Sequence, residues 1–348
     1  MFENTQTTQI SDLGEFGLIN HLTQHIKLTS PHTYKGVGDD AAVIDALGKK
    51  ILISTDLLLE GIHFDLAFTP LKHLGYKAIQ VNLSDIYAMN GLANQVTVSL
   101  GFSSKFSVEA IEELYSGMLL ACQKYNIDLI GGDTTSSQQG LVISVTSIGY
   151  ANEEDITYRN GAQEGDLLCV SGDLGGAYVG LQLLEREKQV FLTSPTVQPD
   201  LEGKDYIIER QLKPEARLDI IDLLKKIGIK PTSMIDVSDG LASEILHITK
   251  QSQKGCKLYE EKIPIDPQTT ETAREFGLDP TVCALNGGED YELLFTIKQT
   301  DYDRLKHDVD ISVIGYITEK SAGNYLITKA GNVHELKAQG WNAFKTNN

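Results

Sequence analysis

Short apolar runs of strand length alternate with longer stretches of helical period along most of this 348-residue chain. No other feature limits the fold as much, because such alternation packs helices on sheets. "ILIST" (Ile51–Thr55) is a buried-strand pattern that ends at Asp56, and a helical stretch follows over about Leu71–Met89, closed by "NG". "QVTVSLGF" reads as a strand. Val108–Tyr125 places Ile111, Leu114, Tyr115, Met118 and Cys122 on one helical stripe. "IDLIGGD" is a strand running into a glycine turn, and "LVISVTSIGY" is a longer, partly alternating strand. An earlier helical period, Leu13, Phe16, Ile19, Leu22 and Ile26, precedes them all.

The polar stretch "ANEEDITYRNGAQEGD" (Ala151–Asp166) interrupts the pattern and marks a domain boundary. Beyond it come strand "LLCVSG", a helix over about Gly175–Glu187, helix "PEARLDIIDLLKKI" and strand "SMIDV". A helix from Asp239 and strands "YELLFTI" and "ISVIGYI" complete the series, with "KQVFLTSPTVQPDLEGKD" as an exposed loop. The expectation is an α+β (mixed α/β) protein of two domains, 1–152 and 153–348.

A net charge of −18 argues against a nucleic-acid or anionic-membrane surface, since both need clustered Lys and Arg. No apolar run approaches the roughly 18 residues of a membrane span, and "MFENTQTTQISDLGEF" has no basic start or apolar core of a secretory signal. Cys122, Cys169, Cys256 and Cys283 are widely spaced, form no CxxC pair, and read as reduced core thiols of a cytoplasmic protein.

The chemistry-bearing pattern is a series of aspartates at the ends of apolar strands or in first turns of helices. They are Asp39 and Asp40 in "GVGDDAAV", Asp56 in "ISTDLLLEGIHF", Asp85 in "VNLSDIYAMNG", Asp133 in "LIGGDTT", and Asp236 and Asp239 in "IDVSDGL". Each alone is ordinary turn or N-cap chemistry. Together, carboxylates delivered to one edge would repel strongly unless cations sat among them. An oxygen-only donor set favours Mg²⁺ over zinc, completed by substrate phosphates. No P-loop, GxSxG or HExxH occurs. "GVGDDA" fits a dinucleotide-type G-x-G-x-x-A, but "SPHTYK" before it is a poor buried strand and two carboxylates would face the pyrophosphate.

"GxGDDAAV", "STDxxxEGxHF", "VNLSDxxAM", "GGDTT", "YRNGAxxGD", "DxSDGL" and "GGEDYEL" occur here in that order, from about Gly14 to Trp341. In these motifs the chain resembles the thiamine-monophosphate kinase family of the aminoimidazole-ribonucleotide-synthetase-like ATP-binding superfamily. The resemblance implies phosphorylation of thiamine monophosphate by ATP with several Mg²⁺ ions, giving thiamine diphosphate and ADP. It also implies a homodimer formed through the N-terminal sheet, with ATP and Mg²⁺ held by the N-terminal domain and the substrate site completed by the C-terminal one. Carried over position by position, Asp40, Asp56, Asp85, Asp133, Asp236 and Asp239 resemble Mg²⁺ ligands, with Ser54 and Thr55 as supporting oxygens. Gly132, Asp133, Arg159 and Ser238 resemble ATP-contacting positions; His63, Glu289 and Trp341 resemble substrate-contacting ones. One departure is "AMNG" where the family more often has "AMG", placing Asn90 at a position that favours left-handed backbone.

The acceptor is a phosphate monoester, dianionic near neutrality because its second pKa is about 6, so no general base is required. The task is to bring two anions together, which metal-assisted in-line transfer accomplishes. A cationic thiazolium suits a carboxylate and an aromatic face as neighbours, the roles of Glu289 and Trp341. Three alternatives stand beside this reading: another ATP-using member of the superfamily, a metal-dependent phosphohydrolase, and a non-catalytic Mg²⁺/Ca²⁺-binding module. Selenide dikinases need a reactive Cys or selenocysteine near the N-terminus, and here no Cys precedes Cys122; hydrogenase-maturation relatives need a C-terminal Cys, and this chain ends "FKTNN".

Overall fold

The computed structural model describes residues 21–35 and 43–339. Asp39, Asp40 and Trp341, and most of the helical period at Leu13–Ile26, lie outside the described residues. The chain forms two compact units. One comprises the chain up to Tyr87 with Gly91–Glu154; the other comprises Ala88–Asn90 and the chain from Asp155 onward.

In the first unit β1 (Thr33–Lys35) pairs antiparallel with β2 (Val43–Ile44). Then follow β3 (Lys50–Leu59), α1 (Leu71–Ala88), β4 (Leu92–Phe102), α2 (Val108–Tyr125), β5 (Asp128–Ser136) and β6 (Val142–Ala151). The four longer strands make one sheet in the order β3-β6-β4-β5, parallel only between β4 and β5. Helix α2 forms where its sequence stripe asks for it: Ile111, Leu114, Met118 and Cys122 are buried. Ser107 caps its start, accepting the Ala110 N–H at 3.3 Å, and Asn126 ends it in left-handed conformation at φ 56°. Helices α1 and α2 cross in backbone contact: a Cβ on Gly75 would lie 1.9 Å from the Leu114 carbonyl oxygen, and one on Gly117 1.8 Å from that of Lys72. Only glycine fits there.

Side chains alternate across the sheet. On β3, Ser54, Asp56 and Leu58 turn toward α1, whereas Ile51, Ile53, Thr55 and Leu57 stay exposed. The same alternation carried through the register puts Leu57, Ser144, Ser99 and Asp133 in one row on the exposed side.

The second unit contains β7 (Leu167–Ser171), α3 (Gly176–Thr193), α4 (Asp205–Leu212), α5 (Leu218–Lys226), β8 (Ser233–Asp236), α6 (Leu241–Ser252) and β9 (Lys254–Tyr259). After these come α7 (Pro267–Glu275), α8 (Pro280–Asn286), β10 (Leu293–Ile297), α9 (Tyr302–Leu305), β11 (Ile311–Glu319), β12 (Asn324–Ile327) and β13 (Val333–Glu335). Its seven-stranded sheet runs β13-β12-β9-β11-β7-β10-β8, parallel only between β12 and β9. Val170, Ile235, Val237, Ile245, Leu294 and Ile317 belong to one buried core. All four cysteines are free and buried. At the close of α1, Asn90 adopts φ 58°, and its side-chain amide donates to the Asp155 carbonyl at 2.8 Å.

Four expectations are corrected. Strand β3 does not stop at Asp56, because its pairing with β6 continues residue by residue from Lys50↔Ala151 to Leu59↔Val142. Asp133 likewise lies inside β5, which stays paired with β4 as far as Ser136, and Asp85 lies in the C-terminal part of α1 instead of a first turn. The segment read as the loop "KQVFLTSPTVQPDLEGKD" is partly helical: α3 runs on to Thr193, and Asp205 begins α4. Helix α4 buries Ile207 and Leu212 and packs so closely on α3 that a Cβ on Gly180 would meet the Ile207 carbonyl oxygen at 2.0 Å.

Candidate functional site

The first unit brings Ser54, Asp56 and Asp85 together. The Ser54 hydroxyl donates to an Asp85 carboxylate oxygen. Asp56 sits beside both, and burial, with the negative charge of Asp85, pushes its carboxyl from 3.8 to about 6. Asn82, one α1 turn before Asp85, accepts the Asp56 backbone N–H at 3.0 Å and donates to the Ala78 carbonyl at 2.9 Å. Its own carbonyl accepts the Ser147 hydroxyl at 2.8 Å. Asn82, absent from the sequence reading, therefore ties the edge strand to the helix that carries Asp85. Its signal lay in the "VNLSD" wording: a polar amide in a helix interior calls for a partner.

Thr55 and Asp133 are not part of that pair. The Thr55 hydroxyl shares a 2.8 Å hydrogen bond with the Thr146 hydroxyl on the sheet's other face. Asp133 is exposed in the row of Ser99 and Ser144, and its carboxylate accepts the Thr134 backbone N–H at 2.9 Å. Gly132 beside it has no room for a side chain, a Cβ there meeting the Val98 carbonyl oxygen at 1.8 Å. His63 lies in the turn after β3, where its Nδ1 accepts the Leu59 N–H at 3.0 Å; that bond leaves the proton on Nε2.

The second unit gathers a different set. Asp236 ends β8 and is buried; Asp239 and Ser238 lie in the turn leading to α6. From α6, Glu244 reaches back to accept the Asp239 N–H at 3.0 Å. Burial, opposed by that bond and reinforced by Asp236 and Asp239, pushes the Glu244 carboxyl up to about 8. Asp239 is also raised by burial, with His247 opposing. Arg159 is exposed but close enough to favour the charged form of Glu244. Glu244 was missed in the sequence; the reach-back of an acidic residue in a first helical turn was its signal.

The "GGEDYEL" loop packs on this turn. Glu289 N–H donates to the Ser238 carbonyl at 2.7 Å and Tyr291 N–H to that of Val237 at 2.8 Å. A Cβ on Gly288 would meet the Ser238 carbonyl oxygen at 2.6 Å. Among the described residues no group of three or more His, Cys, Asp or Glu converges closely enough to hold a metal by itself. The Asp56–Asp85 pair nevertheless fits Mg²⁺, an ion held by one or two carboxylates plus phosphate oxygens. A cavity of about 850 Å³, lined by Gln24, Lys27, Lys72, Glu113 and Gln123 among others, contains none of the candidate residues.

Residues 38–151 match the family described as AIR synthase related protein, N-terminal domain. The thiamine-monophosphate kinase of Aquifex aeolicus is 32% identical over 336 residues, which covers 97% of this chain and 100% of that protein. The chain belongs to the thiamine-monophosphate kinase family. The Bacillus subtilis thiamine-monophosphate kinase is 34% identical, covering 96% of this chain and 100% of that one. A solved structure of AaThiL complexed with AMPPCP and TMP aligns with TM-score 0.73 and 31% identity, covering 99% of this chain and 100% of that chain. The chain thus shares its mixed α+β fold with that structure over nearly its whole length. No helix among the described residues is long and apolar enough to cross a membrane.

Proposed function

We propose that this protein phosphorylates thiamine monophosphate with ATP, yielding thiamine diphosphate and ADP by direct, Mg²⁺-assisted in-line transfer. The observation that carries the proposal is the nearly full-length likeness to AaThiL, a relative seen with AMPPCP and TMP. The Asp56–Asp85 pair supports the metal requirement, since a carboxyl raised to about 6 by burial and a like charge is one that a cation would relieve. Bound there, Mg²⁺ supplies positive charge that neutralises phosphate oxygens and orients them for transfer.

The chain's own groups do the positioning. Asp56 and Asp85, steadied by Ser54 and Asn82, hold metal in the first unit with Asp40, whereas Thr55 and Asp133, on the sheet's other face, serve the phosphates from a separate position. Asp236 and Asp239 are the corresponding carboxylates of the second unit. Gly132 allows close backbone approach to the nucleotide, and Arg159 and Ser238 take its phosphates. His63, Glu289 and Trp341 contact thiamine monophosphate, the Glu289 carboxylate facing the cationic ring. The acceptor phosphate is already dianionic, so no side chain need remove a proton.

The protein works as a homodimer. Ile53 is 67% exposed, Leu57 51% and Ile51 45%, all on one face of an edge strand; this apolar face is what a partner sheet would cover. Residues 1–152 form the ATP- and Mg²⁺-binding and dimerisation domain, and 153–348 complete the substrate site while adding the nucleotide and metal contacts of Arg159, Asp236, Ser238 and Asp239.

The test is an ADP-release assay with Mg²⁺ titration. Formation of thiamine diphosphate that needs thiamine monophosphate and Mg²⁺ together is the expected result. ADP release indifferent to thiamine monophosphate would make the protein a phosphohydrolase, and metal binding without turnover a binding module.

A further inference from the structure

Glu289 is held in a backbone conformation rarely taken by residues with side chains: φ is 60° there and 53° at Tyr291. Such strain persists only where the surroundings over-determine it, and the surroundings are a buried charge network. Between the two, Asp290 is 1% exposed and accepts the backbone N–H groups of Gly175 at 2.7 Å and Ala177 at 3.3 Å, at the start of α3. Arg210 on α4 reaches the Asp290 carboxylate at 3.5 Å and the Glu292 carboxylate at 2.9 Å. Glu292 also accepts the Ser171 hydroxyl at 2.5 Å and a guanidinium N–H of Arg217.

The next residue of α4 turns to the strained one. The side-chain amide of Gln211, a residue 5% exposed, donates to Glu289 Oε2 at 2.9 Å. One short helix therefore gives its guanidinium to the two buried carboxylates and a neutral amide to Glu289. The distinction in charge matters. A cation at position 211 would cancel the negative charge of Glu289, whereas an amide fixes the carboxylate and leaves that charge in place.

We propose that Gln211 is a specificity-determining positioning residue, which aims the Glu289 carboxylate at a cationic heteroaromatic ring of the substrate, on the fixed base supplied by Arg210 and Arg217. This rests on the assignment of Glu289 to thiamine monophosphate made under Proposed function. The expected signature is confined to that substrate. Gln211→Met raises the KM for thiamine monophosphate about tenfold, the size of one lost hydrogen bond to a charged group, and leaves kcat and the KM for ATP within about twofold. Gln211→Lys raises it further, because charge is cancelled as well as orientation lost.

The experiment is a double-mutant cycle with Glu289→Gln, read as the KM for each substrate, with Gln211→Leu serving if Gln211→Met does not fold. Support is a Gln211→Met effect present in the wild-type background and absent in Glu289→Gln. Equal effects in both backgrounds, or parallel loss of kcat and of both KM values, would overturn the role of Gln211 while leaving Glu289 in the site. An unchanged thiamine monophosphate KM in Glu289→Gln would remove Glu289 from the site, and this proposal with it.

Discussion

Asp56 in the first unit and Asp290 in the second are both pushed by burial to about 6, yet what opposes the push differs. Asp290 is pushed further by Glu292 but opposed by Arg210 and by two backbone N–H groups at the start of α3; Asp56 is pushed further by Asp85. The second unit supplies its buried carboxylate with donors from its own chain. The first sets two carboxylates side by side and adds a hydroxyl and an amide to hold them in place. The difference teaches that burial alone does not mark a binding site; at Asp56 the charged neighbour that shifts the carboxyl is another carboxylate, an arrangement that a bound cation would relieve, whereas at Asp290 the guanidinium of Arg210 already does so.

The comparison breaks if the two networks respond alike to the loss of a carboxylate. Asp56→Asn should lower kcat/KM by roughly a thousandfold, the scale of losing one electrostatic group at a phosphoryl-transfer site, while the metal-free protein stays folded. Glu292→Ala, which strips Arg210 and Arg217 of their shared partner, should cost about 3–5 kcal/mol in denaturant unfolding whether or not Mg²⁺ is present.

A sharper form uses pH. The folded pKa of Asp56 lies above its ordinary 3.8, so the fold favours the protonated form. Its contribution is fully present below 3.8, is lost as pH rises to about 6, and above that leaves a cost of at most about 3 kcal/mol. Metal-free Asp56→Asn should therefore melt at higher temperature than the wild type at pH 7.5 and equally at pH 3.5. Added Mg²⁺ should raise the wild-type Tm by more than that of the variant. Gly117→Ala, outside both networks, should cost about 1–3 kcal/mol by overpacking alone. The smallest effect on stability belongs to Ile53→Lys, within about 0.5 kcal/mol, although sedimentation should show the dimer dissociating.

Much of the frame was legible because its periods are plain: α2 lies where Ile111, Leu114 and Met118 recur, β10 falls inside "YELLFTI", and β11 covers "ISVIGYI" and runs two residues past it. Helix α4 was hidden because Pro, Gly and acidic residues before it read as a continuous loop, while its apolar anchors Ile207 and Leu212 number only two. The carboxylates were legible as a set but not as a geometry. Asp56 and Asp85 meet across 29 positions of sequence only because α1 folds back on β3, and strand alternation sends Thr55 away from its neighbours Ser54 and Asp56. Gln211 carried no signal at all: an isolated glutamine in the short stretch between the expected loop and the next expected helix says nothing until α4 brings it to Glu289.

The glycine crossing of α1 and α2 has a mechanical consequence. Gly75 is the fulcrum where α1 rests on the Leu114 carbonyl, and Asp85 rides ten residues further along, about 15 Å at helical rise. The helix is thus a lever. A side chain wedged in at residue 75 or 117 would swing the far arm, and the distance between the Asp56 and Asp85 carboxylates would be set by a contact that neither of them touches.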